Sequence, residues 1–132
     1  MKTRVFLIFC AVGLVPIALG YGAKPSTSLS ALFDITVDTT NLAHIMRAVM
    51  GLYFGMVVIW VWGAFNKQMT APALVSCAVF MLGLAAGRIL SFILDGMPHW
   101  LLVVYAVLEI VLGLSAIAIY RRDDPGKNDA LQ

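Results

Sequence analysis

Four ionisable side chains stand inside or at the edge of long apolar runs: Arg47, Arg88, Asp95 and Glu109. Two are basic and two acidic, so together they form a neutral set. A lone charge at the centre of a bilayer costs at least ~2.5–3.5 kcal/mol, which makes pairing the expected solution. At a rise of about 1.5 Å per residue, Arg88 lies about 10 Å below Asp95, and Glu109 about 13 Å below Trp100. These depths predict that Arg88 and Glu109 meet across neighbouring helices. Arginine suits such a site, because its planar fork grips a carboxylate and still has a donor for a third acceptor. The spacing puts Asp95 on the same stripe two turns up, with Ser91 between them, and Arg47 a turn or so below the outer end of its own run.

The other polar side chains of the runs are Asn41, His44, Tyr53, Ser91, His99 and Tyr105. All fall toward one end of the apolar segments, whereas "VVIWVWGAF", "LVSCAVFML" and "GLSAIAIY" at the other end are almost purely apolar. A proton or solute path needs polar groups through the full depth. This distribution predicts instead a polar pocket that opens outward and is closed on the inside. The candidate polar cluster is Arg47, Arg88, Ser91, Asp95 and Glu109 with Tyr53, Tyr105 and His44. It would either bind a ligand or fix helix register as a buried ion pair. His44 and His99 have no ligand partner at i, i+4 spacing, so no metal is expected. No serine elbow, phosphate loop or Cys–His arrangement is present, so no catalytic residue and no cofactor are assigned.

These side chains must be positioned by helices. The chain has 132 residues, 61% hydrophobic and only 12% charged, with a net charge of +2. A soluble domain of this size is nearer a quarter charged, and no basic face points to nucleic acid. A span needs roughly 20 apolar residues, and four segments qualify: about Val5 to Gly22, Leu42 to Phe65, Ala73 to Leu94 and Trp100 to Tyr120. The expected fold is an all-α integral membrane bundle of four transmembrane helices within residues 1–120. The first segment also reads as a cleaved signal peptide, with "MKTR" as its positive start and "ALG" as a cleavage site. Pro16 and Gly13 inside it are tolerated in lipid.

Positive residues set the orientation. Lys2, Arg4, Lys67, Arg121, Arg122 and Lys127 put both termini in the cytoplasm and the "DGMPHW" turn outside. Trp60, Trp62 and Tyr120 are then expected at the inner boundary, with Tyr21 and Trp100 at the outer one. In the outer loop, Leu29, Leu32 and Phe33 share a helical face, with Ser28 as a candidate cap, which predicts a short interfacial helix. Thr40 and Asn41 suit the start of the second span. Gly96 is expected to end the third span in a left-handed conformation, and Pro98 to fit the first turn of the fourth. Residues 121–132 read as a disordered cytoplasmic tail. Cys10 and Cys77, both in apolar runs, read as buried, inert thiols.

Small residues recur at i+4 steps: Gly51 and Gly55 below Arg47, Gly83 and Gly87 before Arg88, and Gly113 after Glu109. Small faces let helices approach closely. Tight packing within the bundle is the expected meaning, with a homo-oligomer or a membrane-complex partner as the alternative.

The runs "RAVMGLYFGMVVIWVWGA", "GLAAGRILSFILDGMP" and "VLEIVLGL" together resemble the bacterial membrane family known as domain of unknown function 4345. The resemblance covers nearly the whole chain. It implies a four-helix protein of the bacterial inner membrane, and it marks Arg47, Gly51, Tyr53, Gly87, Arg88, Ser91, Asp95, Gly96, Pro98 and Glu109. It implies no chemistry. The residues themselves favour a binding or accessory subunit, working in the lipid bilayer on a lipid or quinone-like ligand or on a membrane partner. A small proton-coupled transporter, or a membrane enzyme acting on a lipidic or quinone-like substrate, is the alternative.

Overall fold

A computed structural model describes residues 2–123. They form five helices: α1 Lys2–Gly22, α2 Pro25–Phe33, α3 Thr40–Phe65, α4 Lys67–Leu94 and α5 Trp100–Asp123. Among the described residues there is no strand. Four of the helices, α1, α3, α4 and α5, are long and apolar enough to cross a membrane. The fourfold bundle expected from hydropathy is therefore present, with a short extra helix after the first long one. The nine-residue part of the expected tail, 124–132, lies outside the described residues, while Arg121 to Asp123 continue α5.

The helix ends have local causes. Thr39 caps α3, its Oγ1 accepting from the Leu42 N–H at 3.2 Å. Asn66 alone joins α3 to α4. Its N–H donates to the Trp62 carbonyl, and its Oδ1 accepts from the Gln68 N–H at 2.9 Å. One extended residue thus ends one helix and starts the next. This is why α4 begins at Lys67, two turns before the expected Ala73. The polar run that reads as a loop is capped into helix, and α4 runs on through Pro72 as α1 does through Pro16.

The helix expected in the outer loop is present, but Ser28 is not its cap. It starts at Pro25, with the missing N–H of proline placed where no partner is needed, and the Ser28 hydroxyl donates back to the Lys24 carbonyl at 2.7 Å. Leu29 and Phe33 are buried, and Leu32 of the same expected face is exposed. Gly96 takes the expected left-handed conformation, with φ 92°. Pro98 lies in the connector rather than in the first turn of α5. His99 takes the capping place, its Nδ1 accepting from the Leu101 N–H at 3.3 Å.

α1 packs along α3, α3 along α4 and α4 along α5, while α2 touches α1, α3 and α5. The Thr3 hydroxyl donates to the Asp123 carboxylate, which places the start of α1 beside the end of α5. The core gathers toward that end. Leu7, Cys10, Leu14, Trp60, Leu74 and Cys77 are each no more than 3% exposed. Both cysteines are free. Toward the α2 end α3 buries nothing before Tyr53 and α4 nothing after Ala85, although α1 stays close against α3 at Gly22 and Met50.

Trp60 departs from the expected aromatic belt. It is fully buried, its Nε1 donating to the Ser76 hydroxyl at 3.2 Å, whereas Trp62 is exposed. A tryptophan can be buried whole only when its N–H finds an acceptor, and Ser76 on the facing helix supplies one.

Candidate functional site

Where the bundle begins to open, Arg88 of α4 meets Glu109 of α5. Arg88 Nε donates to Glu109 Oε2 at 2.8 Å and to Oε1 at 3.1 Å, and Nη2 donates to Oε1 at 2.9 Å. This is the two-pronged geometry that makes arginine–carboxylate pairs strong. The Arg88 guanidinium also lies 5.7 Å from the centre of the Tyr105 ring. Nη1 takes no part in the pair.

The pair is not sealed in the packing. The side chains of Arg88 and Glu109 keep 16% and 10% of their surface, and each faces its own opening. Glu109 lines a cleft between α1 and α5, a cavity of about 160 Å³ whose other polar walls are Tyr53 and Tyr105 and whose inner walls are Gly13, Ile17 and Leu112. Arg88 lines a groove between α3 and α4 of about 420 Å³, with Tyr21, Tyr53, Gly83, Gly87 and Ser91. Tyr53 and Leu84 belong to both walls and separate them.

Of the expected cluster, the structure thus brings together Arg88, Glu109, Tyr53, Tyr105 and Ser91. Asp95 is held apart from the pair. It is exposed and accepts from the Ser91 hydroxyl at 2.7 Å, a local turn at the end of α4. Arg47 and His44 are exposed on α3 and line neither opening. A helix face read from spacing cannot say which way it turns. Arg47, Gly51 and Gly55 share one stripe by spacing, and all three are exposed and line neither opening.

The glycines also differ from expectation. A Cβ added at Gly51, Gly55, Gly83 or Gly87 would meet nothing within 4 Å, so these four do not serve close approach within the described chain. Gly113 does, with Leu82 at 2.7 Å from such a Cβ. Two close contacts that spacing did not single out are Gly22 against Met50 and Gly63 against Ala73. Gly83 and Gly87 instead hold the groove beside Arg88 open by lacking side chains.

Sequence reasoning missed the aromatic part of the site. Tyr21 reads as an interface anchor and Phe33 as one apolar residue of a short helix. In the structure Phe33 of α2 stacks on Tyr21 at 5.9 Å and meets Tyr105 edge-on at 6.2 Å and His99 at 6.5 Å. Tyr21 meets Tyr53 at 5.7 Å, and Tyr53 meets Phe80 at 5.1 Å. Phe33 of α2 therefore packs on two of the rings beside the pair, and it lines neither opening. The one available signal is indirect: with α1 and α5 side by side and antiparallel, Tyr21 and Tyr105 fall at one level. Among the described residues no three His, Cys, Asp or Glu side chains stand together as a metal site.

A four-helix membrane-type bundle with a bidentate ion pair at the root of its open end is the class that these features define. The family described as Domain of unknown function (DUF4345) matches residues 2–120, and the chain belongs to it. No curated protein and no solved structure matches the chain.

Proposed function

We propose that this protein is a small multi-pass protein of the bacterial inner membrane, with both termini in the cytoplasm, that binds an amphiphilic ligand or a membrane partner at the Arg88–Glu109 pair. The observation that carries the reading is the pair's setting. A buried pair can fix helix register with no opening beside either partner. Here each partner fronts an opening, and the opening beside Arg88 is kept clear by two glycines. Binding is favoured over transport because the half of the bundle beyond the pair is closed by Trp60, Leu74 and Cys77 and, among the described residues, buries no charged side chain.

The test is native mass spectrometry of the protein released from mild detergent. Wild type should carry a lipid-sized or protein-sized adduct that Arg88→Gln loses. A wild type that flies bare, with a spectrum identical to that of Arg88→Gln, overturns the reading. Orientation has its own check. A cysteine placed at Ser28 should react with an impermeant thiol reagent added outside intact cells, and one at Gln68 should not.

A further inference from the structure

The ion pair is two-faced, and the two faces select different chemistry. Into the cleft between α1 and α5 it presents its acid, Glu109, and Arg88 is not among the cleft's walls. A ligand head entering there meets a carboxylate and two tyrosines, with no cation directed at it. Arg47, the other cation within the spans, lines neither opening. An anionic head would meet a carboxylate that Arg88 already balances and would find no cation among the cleft's walls. A head with a hydroxyl or amide donor would instead give Glu109 a further hydrogen bond, and a carboxylate has lone pairs left for it after accepting from Arg88.

Apart from Glu109, Tyr53 and Tyr105, the cleft is lined almost wholly by apolar side chains. Gly13, Ile17 and Phe9 of α1 face Leu108 and Leu112 of α5. Gly13 is again a position where an added Cβ meets nothing within 4 Å. The two helices are tied at the Thr3–Asp123 end. The opening between them therefore lies partway along the helices, where the faces of α1 and α5 around it carry exposed Phe9, Val12, Val107, Leu108 and Val111. Residues of that kind are at home in hydrocarbon, so the cleft opens to the bilayer and not to water.

We propose that the α1–α5 cleft is a lateral site for an uncharged long-chain amphiphile with a hydroxyl- or amide-type head. The head donates to Glu109 beside Tyr53 and Tyr105, and the chain lies along Gly13 and Leu112. This rests on the reading that the ion pair is a binding site, and it adds the route of access and the class of head group.

The test uses the full chain in phosphatidylcholine vesicles and two photoreactive probes: a long-chain alcohol bearing a mid-chain diazirine, and the carboxylic acid of the same chain. The alcohol should label the Phe9–Ile17 and Leu108–Leu112 segments well above lipid-facing positions such as Val5 and Ile93, and the acid should not. Gly13→Leu fills the cleft with its own side chain and should lower cleft labelling about tenfold. Leu112→Trp, from the opposite wall, should do the same. Leu112→Trp also keeps the test alive if a leucine so near Pro16 disturbs α1. Equal labelling by acid and alcohol, or labelling indifferent to both cleft variants, overturns the inference. If Arg88→Gln still strips the adduct seen by native mass spectrometry while the cleft variants change nothing, only the lateral site falls. If Arg88→Gln changes nothing either, the binding reading falls with it.

Discussion

At the end where α1 starts and α5 finishes, Gly63 lies so close to α4 that an added Cβ would stand 2.2 Å from the Ala73 Cβ and 2.9 Å from the Met69 carbonyl oxygen. Further along the same two helices, Gly51, Gly55, Gly83 and Gly87 meet nothing within 4 Å. The residue type is the same in both regions and its use is opposite. In the first, glycine lets backbones touch, and the Thr70 hydroxyl donates across the turn to the Gly63 carbonyl at 2.8 Å. In the second, Gly83 and Gly87 leave room beside Arg88, and Gly51 and Gly55 stand exposed. The closed half holds most of the buried core, and the open half carries the polar side chains that line the two openings beside the pair. The Arg88–Glu109 pair sits where one becomes the other.

The largest effect should come from splitting that pair. Arg88→Leu or Glu109→Leu leaves an unmatched charge among apolar neighbours, at a cost of about 3–5 kcal/mol. The double replacement removes both charges and should cost less than the sum, with a coupling of roughly 0.5–3 kcal/mol. Denaturation in mixed detergent micelles measures all four corners of the cycle. Strict additivity would mean that the two side chains do not depend on each other.

Next comes the closed half. Gly63→Ala forces a methyl against Ala73 and the Met69 carbonyl, neither of which is a flexible chain end. Overpacking of this kind typically costs about 1–3 kcal/mol. A wild-type melting temperature for Gly63→Ala would show that the Asn66 turn yields easily. The comparison of the two halves would then lose its rigid member.

How far the sequence carries the reader follows from what spacing encodes. The four spans are legible because hydrocarbon thickness demands length and apolarity, both local properties. The pairing of Arg88 with Glu109 is legible because charge cannot be left alone in lipid, and the chain offers only one deep acid near the right depth. The Arg47 face misled because a stripe of residues fixes which side chains share a face and leaves open what that face meets. The same gap hid Trp60, whose burial depends on Ser76 sixteen residues on, and Phe33, whose ring reaches Tyr105 only after α2 folds back over the bundle. Such contacts belong to tertiary placement, and no period in the sequence reports them.

A smaller effect is expected at the rim. Asp95 accepts from Ser91 in an exposed turn, where such contacts are worth about 0–1 kcal/mol. Asp95→Asn keeps an acceptor and should shift stability by less than about 0.5 kcal/mol. It should also leave adduct retention by Arg88 unchanged, since Asp95 lines neither opening. Loss of the adduct in Asp95→Asn would bring the rim into the site and weaken the division drawn above.

The smallest expected change in stability is at Gly87. Close packing on the Gly83–Gly87 stripe would make Gly87→Leu severe. The structure gives the new side chain the groove beside Arg88 to occupy, with nothing within 4 Å of its first carbon. Replacing a mid-helix glycine also removes backbone freedom from the unfolded chain, a gain of about 0.4–1 kcal/mol where the conformation allows it. Gly87→Leu should therefore be as stable as wild type or slightly more so, while the bulkier groove no longer admits a ligand at Arg88 Nη1. Stability kept and groove binding lost is the signature of glycine used as space. A large loss of stability in Gly87→Leu would mean that the stripe is covered in the membrane by a second copy or another protein. The open half would then be an interface, and the comparison would have to be drawn on the assembly.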